Sequence, residues 1–121
     1  MAIEFGIEDR RVADGIHLVA VTGEIDLFTA PEFKQRMAKP IEEGVGRLIV
    51  DLSGTTFIDS SSLGVLIGAH RRLKQRNGSL VVVCDNDTIV KTFKITGLDG
   101  VFTLVRSLDD ALDGDAVGAG P

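Results

Sequence analysis

The sequence predicts an α/β fold in which a mixed β-sheet of four to five strands is interleaved with α-helices. Two strand-like runs joined at an Asp-Gly turn come first, and apolar runs then alternate with segments of helical spacing. The 121 residues are enough for one domain but too few for two. A hydrophobic content of 44% and a charged content of 26% are typical of a soluble globular protein. We expect one domain over residues 1–113 and a disordered C-terminal tail over residues 114–121.

The chain is expected to open with a β-hairpin. Residues 3–12 and 16–22 are rich in β-branched side chains, and Ala13-Asp14-Gly15 between them is a turn signal. The second strand is the more apolar of the two and should lie inside the sheet. The segment from Gly23 to Asp26 is then expected to leave the strand. Because the free edge of the hairpin could pair with a second copy, we expect a monomer or a weak dimer.

One helix and one buried strand are predicted next. Thr29 and Glu32 have the spacing of a capping box, and Pro31 falls in the first helical turn, where its missing N–H is not needed. The run from Arg47 to Leu52 has almost no polar alternation, which is typical of a strand covered on both faces. The polar residues 53–56 are then expected to form a turn.

The second half of the chain continues the alternation of helices and strands. Apolar residues at helical spacing predict a helix over residues 63–76, and a buried strand, a capped helix, a last strand and a short capped helix begin at residues 79, 85, 101 and 107. Gly64 and Gly68 lie inside the first of these helices, where each glycine costs about 1 kcal/mol. We therefore expect the sheet or a partner to pack closely against them.

Charge and cysteine content argue against several classes of function. The net charge of −5 at pH 7 argues against binding to nucleic acid or to a membrane surface, because both need a basic face. The N-terminus lacks the pattern of a signal peptide, and no apolar run approaches the roughly 18 residues of a membrane span. The single Cys84 excludes an internal disulfide and suits a reducing compartment. We expect the protein in the cytoplasm.

Catalytic and metal-binding patterns are largely missing from the sequence. It contains neither a glycine-rich nucleotide-binding loop nor a Gly-x-Ser-x-Gly motif. His17 falls on a predicted strand and His70 on the apolar stripe of a predicted helix, and no cysteine accompanies either of them. We predict no catalytic residue, no metal ion and no cofactor, and a protein that is not an enzyme.

Asp59, Ser60, Ser61 and Ser62 lie where an apolar segment gives way to a predicted helix. The unpaired N–H groups and the macrodipole at a helix N-terminus favour a capping hydroxyl or an anion. One serine would satisfy a cap, so three are more than capping requires. Phosphorylation would add a charge of about −1.5 to −2 without unfolding the helix. The residues therefore leave two interpretations open, plain capping and a regulatory phosphorylation site.

Three motifs give the chain a resemblance to a known family. They are Phe57 to Leu66, which contains Asp-Ser-Ser, Gly23 to Asp26 upstream, and Thr96 to Phe102 downstream. Together and in this order they resemble the STAS domain of bacterial anti-sigma factor antagonists. The resemblance extends from the first predicted strand to the last predicted helix, and it implies a STAS-like fold for the predicted domain.

The resemblance implies a partner-switching protein. An unphosphorylated antagonist of this family binds an anti-sigma factor that is also a serine kinase, and so releases a sigma factor. The kinase phosphorylates the serine that follows the motif aspartate, which ends the interaction, and a serine phosphatase reverses the modification. Transferred to this sequence, Ser60 is the phosphoacceptor and Ser61 the fallback. Asp59, Asp26 and Ser62 form the environment of the site.

The resemblance also implies a surface for the kinase. Its residues in this chain are Glu24, Thr29, Leu63 and Gly64. The family commonly has Gly where this chain has Ser62, so the start of the helix is less free in φ and carries a third hydroxyl.

Three other interpretations compete with that of an antagonist switched by phosphorylation. The first is a STAS scaffold or sensor module whose serines only cap the helix. The second is a receiver domain with Asp51 at a strand end, although the acidic pair and the lysine that such a domain needs are not in place. The third is a small serine hydrolase, which would need a base beside its serine.

Overall fold

The computed structural model describes residues 4–113 and contains a five-stranded mixed sheet, which confirms the predicted α/β class. The strands follow one another in the sheet as in the chain: β1 (Gly6–Ala13), β2 (Ile16–Ile25), β3 (Arg47–Ile58), β4 (Ser79–Val83) and β5 (Thr103–Val105). The β1–β2 pair is antiparallel and the other pairs are parallel. The helices are α1 (Ala30–Glu42), α2 (Ser60–Gln75), α3 (Asp87–Ile95) and α4 (Leu108–Leu112), with a 3₁₀ turn at Leu98–Gly100. The predicted tail, residues 114–121, lies outside the described residues.

The helices cover the two faces of the sheet unequally. The larger core joins α1, α2 and α3 to one face, with Phe33, Met37, Leu66, Leu73 and Phe93 packed against Val19, Val50 and Val82. On the other face, Ala111 of α4 packs with Leu18, Ile49, Val81 and Val83. The central strands are therefore buried on both sides, which is why their sequences show little polar alternation.

Both β2 and β3 run further than predicted, to Ile25 and Ile58. The turns predicted at residues 23–26 and 53–56 are therefore wrong. The pairing of the two strands shifts register at two points in its second half, where the residues that resemble turn signals form irregularities in the ladder. At Gly54 a Cβ would lie 2.7 Å from a methyl carbon of the neighbouring strand, so the glycine permits a close approach instead of a turn.

The helices α1 and α2 lie side by side and are fastened at their C-terminal ends. Arg76 Nη1 donates to the C=O groups of Ile41 (3.2 Å) and Glu42 (3.3 Å), the last carbonyls of α1. Arg72 Nη2 also donates to Glu42 Oε1 at 3.3 Å. Cations at the end of α2 thus donate hydrogen bonds to the last carbonyl groups of α1. They also interact favourably with the negative end of the α2 dipole.

Gly64 and Gly68 lie on the exposed side of α2. A Cβ added to either glycine would meet no atom within 4 Å, apart from the backbone of the helix itself. The expectation that the sheet packs closely against them is therefore wrong. A partner that approaches α2 remains the other explanation of their cost to the helix.

Candidate phosphorylation site and docking surface

The helix α2 begins with a reciprocal pair of interactions between Asp59 and Ser62. Asp59 Oδ1 accepts the N–H groups of Ser61 (2.9 Å) and Ser62 (3.2 Å), and Ser62 Oγ accepts the N–H of Asp59 (3.0 Å). This is a capping box in which the aspartate is the N-cap. We call Asp59 and Ser62 the α2 box. Capping therefore accounts for two of the four clustered polar residues and leaves Ser60 and Ser61 to be explained.

The three serines have different surroundings. Ser62 is 0% exposed, and its hydroxyl donates to the C=O of Ile25. Ser61 is half-buried and lines a groove between α1 and α2. Ser60 is exposed, and its hydroxyl makes no hydrogen bond within residues 4–113. Ser60 therefore carries the hydroxyl that a second protein reaches with the least displacement.

A second box of the same spacing lies immediately before α1. Asp26 Oδ1 accepts the N–H groups of Phe28 (2.9 Å) and Thr29 (3.1 Å), and Thr29 Oγ1 accepts the N–H of Asp26 (2.9 Å). We call Asp26 and Thr29 the α1 box. The predicted capping box of Thr29 with Glu32 is wrong, because Thr29 has helical φ and ψ angles and its side chain turns back towards the strand.

The carboxylate of Asp26 is occupied by donors of its own loop. Desolvation raises the pKa of this carboxyl, but hydrogen bonds from the Phe28 N–H and from the N–H and hydroxyl of Thr29 outweigh it, so the pKa lies below its ordinary value of 3.8. Asp26 is therefore ionised at neutral pH. None of its hydrogen bonds reaches a serine of the cluster, so Asp26 acts on that site only through the loop that it organises.

The two boxes are fastened to adjacent carbonyl groups at the end of β2. Thr29 Oγ1 donates to the C=O of Glu24 (2.9 Å), and Ser62 Oγ donates to the C=O of Ile25. The Ile25 C=O and the Asp26 N–H belong to one peptide unit, and that N–H is the one that Thr29 accepts. A single peptide therefore joins the boxes and holds the starts of α1 and α2 together.

Exposed apolar side chains lie in the connection before α1 and at the end of β3. Leu27 is 68% exposed and Phe28 is 87% exposed, and we call these two residues the apolar loop. Phe57, at 45% exposed, pairs in register with the exposed Glu24 across β2 and β3. Leu27 also shares the lining of a cavity of about 360 Å³ with Ser61. Large apolar side chains grouped at one surface are typical of a protein interface.

A groove of about 470 Å³ runs between α1 and α2 from Ser61 towards the C-terminal half of α2. Its cations are Lys34, Arg71 and Arg72, and none of the described residues that line it is acidic. Gly64 is exposed along this groove, whereas Leu63 is half-buried and packs against the core. Of the predicted partner-binding residues, Gly64 and Glu24 are thus exposed, and Thr29 acts on the surface through its hydrogen bonds.

Sequence reasoning missed the apolar loop. Asp26-Leu27-Phe28-Thr29 and Asp59-Ser60-Ser61-Ser62 have the same Asp-x-x-Ser/Thr spacing, and this repeated pattern was the available signal. In each case the first and last residues are hydrogen-bonded to each other and the middle two face outward to different degrees.

Neither histidine is hydrogen-bonded to a serine. His17 Nε2 lies 2.9 Å from Asp9 Oδ1, and Arg36 Nη1 lies 2.6 Å from the other oxygen of that carboxylate. His70 packs edge-on against Phe102, with 5.6 Å between the ring centroids. Within residues 4–113, no group of three or more His, Cys, Asp or Glu side chains could hold a metal ion, and no helix is long and apolar enough to cross a membrane.

The receiver-domain interpretation depended on Asp51 at the end of a strand. In the structure Asp51 is half-buried inside β3, which continues to Ile58, and its Oδ1 accepts the N–H of Ser53 (2.9 Å). The premise of that interpretation is therefore wrong.

A five-stranded sheet in which α1 and α2 begin side by side at one end is the architecture of a STAS-like domain. The family model described as STAS domain matches residues 9–111. The chain belongs to the STAS domain family.

Named relatives extend this assignment. The chain is 33% identical over 117 residues to a protein of Listeria monocytogenes named anti-sigma-B factor antagonist, an alignment that covers 95% of this chain and 98% of that protein. The crystal structure of an anti-sigma factor antagonist from Mycobacterium paratuberculosis superposes with a TM-score of 0.82 at 32% identity, covering 90% of this chain and 92% of that one. The phosphorylated form of Bacillus SpoIIAA shares the fold, with a TM-score of 0.69 at 22% identity over 91% of this chain and 97% of that chain.

Proposed function

We propose that this protein is an anti-sigma factor antagonist that is switched by phosphorylation of Ser60. In its unphosphorylated form it binds an anti-sigma factor with serine kinase activity and so releases a sigma factor. A serine phosphatase restores the binding form. The names of the full-length relatives support the first half of this proposal. The observation that carries the second half is the exposed Ser60 hydroxyl at the first position of α2, free of the hydrogen bonds that occupy Ser62.

Ser60 is a better acceptor than its neighbours. The kinase must bring the γ-phosphorus of its nucleotide within about 3–3.5 Å of the attacking oxygen. The Ser60 hydroxyl is accessible without breaking a bond, whereas Ser61 is half-buried in the groove and Ser62 is buried in the α2 box. Ser61 is the fallback acceptor if the kinase approaches along the groove.

Phosphorylation of Ser60 changes the surface and leaves the fold intact. The hydroxyl takes no part in the α2 box, so the hydrogen bonds of Asp59 survive the modification. The helix N-terminus tolerates the added charge of about −1.5 to −2. The dianion then lies beside the Asp59 carboxylate and must be desolvated to enter an interface, which opposes renewed binding of the kinase.

The surface that docks with the kinase comprises the apolar loop, Phe57, Glu24 and the α1–α2 groove with Gly64. The groove and the cavity lined by Leu27 both include Ser61, the residue after the acceptor, and Glu24 and Phe57 lie at the ends of the strands that precede the two helices. We propose that the STAS domain spans residues 1–113 and acts in the cytoplasm. We also keep the prediction of a monomer or weak dimer, because the charged residues 8–11 on the edge strand β1 disfavour extensive edge pairing.

Incubation with ATP and each purified anti-sigma factor kinase of the source organism tests the proposal. We expect the wild-type chain to incorporate one phosphate group, Ser60→Ala to incorporate none and the matched Ser61→Ala variant to behave as wild type. The measurement is intact mass followed by peptide mapping. Unchanged incorporation in Ser60→Ala would disprove the assignment of the acceptor.

A STAS scaffold or sensor without phosphorylation is the second candidate. It is favoured by the α2 box, which gives Asp59 and Ser62 a purely structural task. Phosphate-affinity electrophoresis of the protein from cells in growth and under several stresses separates the two candidates. A chain that never carries phosphate in cells supports the scaffold.

A further inference from the structure

We propose that Ser62 is a positioning residue that holds the apolar loop, as a docking element for the kinase, at a fixed place relative to the Ser60 hydroxyl. The inference rests on the proposed function only where it names the kinase as the partner. The link is made by the side chain of Ser62, so it depends on the hydroxyl at this one position.

The first step concerns the proton of the Ser62 hydroxyl. Two acceptors are within reach, the Ile25 C=O and Asp59 Oδ1, the latter at 3.2 Å. Asp59 Oδ1 already accepts two backbone N–H groups, and the Ile25 C=O is the nearer acceptor. The proton is therefore donated to Ile25, while the oxygen accepts the N–H of Asp59. Ser62 is thus a buried bridge from the start of α2 to the end of β2.

The second step carries this restraint into the apolar loop. The peptide that accepts from Ser62 donates its own N–H to Thr29 Oγ1 (2.9 Å), which in turn donates to the C=O of Glu24 (2.9 Å). The loop is therefore anchored at both ends while its two side chains are 68% and 87% exposed. An aromatic side chain on a restrained loop loses less conformational freedom on docking, which suits it as an interface anchor.

The third step concerns the position of the apolar loop relative to the Ser60 hydroxyl. Leu27 of the apolar loop and Ser61 line one cavity of about 360 Å³, and Ser60 directly precedes Ser61 in the chain, so a kinase meets the loop and the acceptor on one surface. A displacement of about 1 Å between an anchor and a reacting group is enough to slow a transfer about a hundredfold. A bridge that fixes the loop relative to the acceptor therefore aids phosphorylation without touching the reacting atoms.

Amide hydrogen exchange tests the positional half of the inference. In Ser62→Ala we expect the N–H groups of Phe28 and Thr29 to exchange about tenfold faster than in the wild type, because one of the hydrogen bonds that restrain the loop is lost. The amides of β4 should be unchanged under the same conditions. Ser62→Cys, which keeps the volume of the side chain, should show the same local change if Ser62→Ala is poorly folded. Equal exchange of Phe28 and Thr29 in the wild type and both variants would overturn the positioning role.

Kinetics with the kinase identified above test the functional half. We expect Ser62→Ala to lower kcat/KM for this chain about tenfold, with KM raised because docking must order a looser loop and kcat lowered because the acceptor is placed less exactly. In a Leu27→Ala/Phe28→Ala background the same substitution should have no further effect, because it acts through the loop. Additive effects would overturn the inference and leave the proposed function standing. Failure of the kinase to modify the wild type would overturn the proposed function and the docking role together, and the exchange data would still decide the positioning.

Discussion

The starts of α1 and α2 are built alike and present different chemistry. In both, an aspartate accepts two backbone N–H groups and a hydroxyl three residues later accepts the N–H of the aspartate. Between these partners the α1 box holds two large apolar residues, and the α2 box holds two serines. Both residues of the α1 box are half-buried, whereas Ser62 of the α2 box is fully buried.

In each of these four-residue segments, the first and last residues have a structural role and the middle two form the surface. The two residues of each box hydrogen-bond to each other and so hold the backbone at the start of the helix. The two residues between them are released from that task, and their side chains decide what the surface can bind or accept. Capping and the proposed phosphorylation, which the sequence leaves as alternatives, are therefore compatible, because they involve different residues of the same motif.

The largest expected effect tests the apolar loop as a docking element. Leu27→Ser/Phe28→Ser should weaken binding of the kinase about 10- to 100-fold, which corresponds to a loss of roughly 1.4–2.8 kcal/mol for the two interface side chains together. The free energy of unfolding should change by less than about 0.5 kcal/mol, since both side chains are exposed. Calorimetric titration and urea unfolding measure the two quantities.

Ile95→Ser is the matched control for this experiment. Ile95 is 74% exposed at the end of α3, and it lines neither the groove nor the cavity beside Ser61. Its substitution should leave kinase binding unchanged. An equal loss of affinity in Ile95→Ser would show that general hydrophobicity, and not the apolar loop, governs the association.

The next effect is the change in the free energy of unfolding when Asp59 or Asp26 is replaced. Asp59→Ala should lower the free energy of unfolding by about 1–2 kcal/mol, because it removes the N-cap side chain that accepts the N–H groups of Ser61 and Ser62. Asp59→Asn keeps an acceptor and should be closer to wild type. Asp26→Ala should cost less than Asp59→Ala, since both residues of the α1 box are half-buried whereas Ser62 of the α2 box is fully buried. Urea unfolding of the three variants measures the order, and a larger loss at Asp26 would contradict the assignment of the α2 box as the structural one.

A smaller effect is expected at the groove. Gly68→Ala should raise the free energy of unfolding by about 0.5–1 kcal/mol, because the glycine lies inside a helix and its added Cβ meets no neighbour. The same substitution should weaken kinase binding if the partner approaches α2 there. Thermal unfolding and titration measure these changes, and a destabilised variant would mean that the helix surface is more crowded than the structure shows.

The smallest effect is a pH dependence from the α1 box. The pKa of Asp26 is depressed in the folded state, so its contribution to stability is present above the ordinary value of 3.8 and is lost as pH falls through the folded pKa. The difference in stability between wild type and Asp26→Asn should therefore shrink as the pH is lowered from 6 to about 3. Urea unfolding across this range measures the difference. A gap that widens on acidification would contradict the hydrogen bonding of this carboxylate.

Periodicity and apolar runs were sufficient to predict the strand and helix order. The short-range signals around the site were harder to interpret. Gly54 and its neighbours have the composition of a turn. They form an irregular part of β3 instead, because β2 packs closely against them. This contact between distant residues cannot be inferred from the local sequence. Thr29 has the spacing of a cap to Glu32, yet its hydroxyl is captured by the carbonyl of Glu24.

The serine cluster was located from the sequence, while the division of labour within it was not. A pattern of three hydroxyls does not say which one is buried, because burial of Ser62 depends on the end of β2 arriving beside α2. The apolar loop was missed because two exposed apolar residues in a short connection look ordinary until the Asp-x-x-Thr frame around them is known.

The shared anchoring at the end of β2 has an evolutionary consequence. Because the backbone at both helix starts is fixed by the box residues, substitutions at positions 27, 28, 60 and 61 should change the surface proposed for docking with little penalty to folding. Duplicated copies of such a gene can diverge to serve separate signalling circuits by changing these few side chains, and the same positions offer a protein engineer a compact way to rewire partner choice.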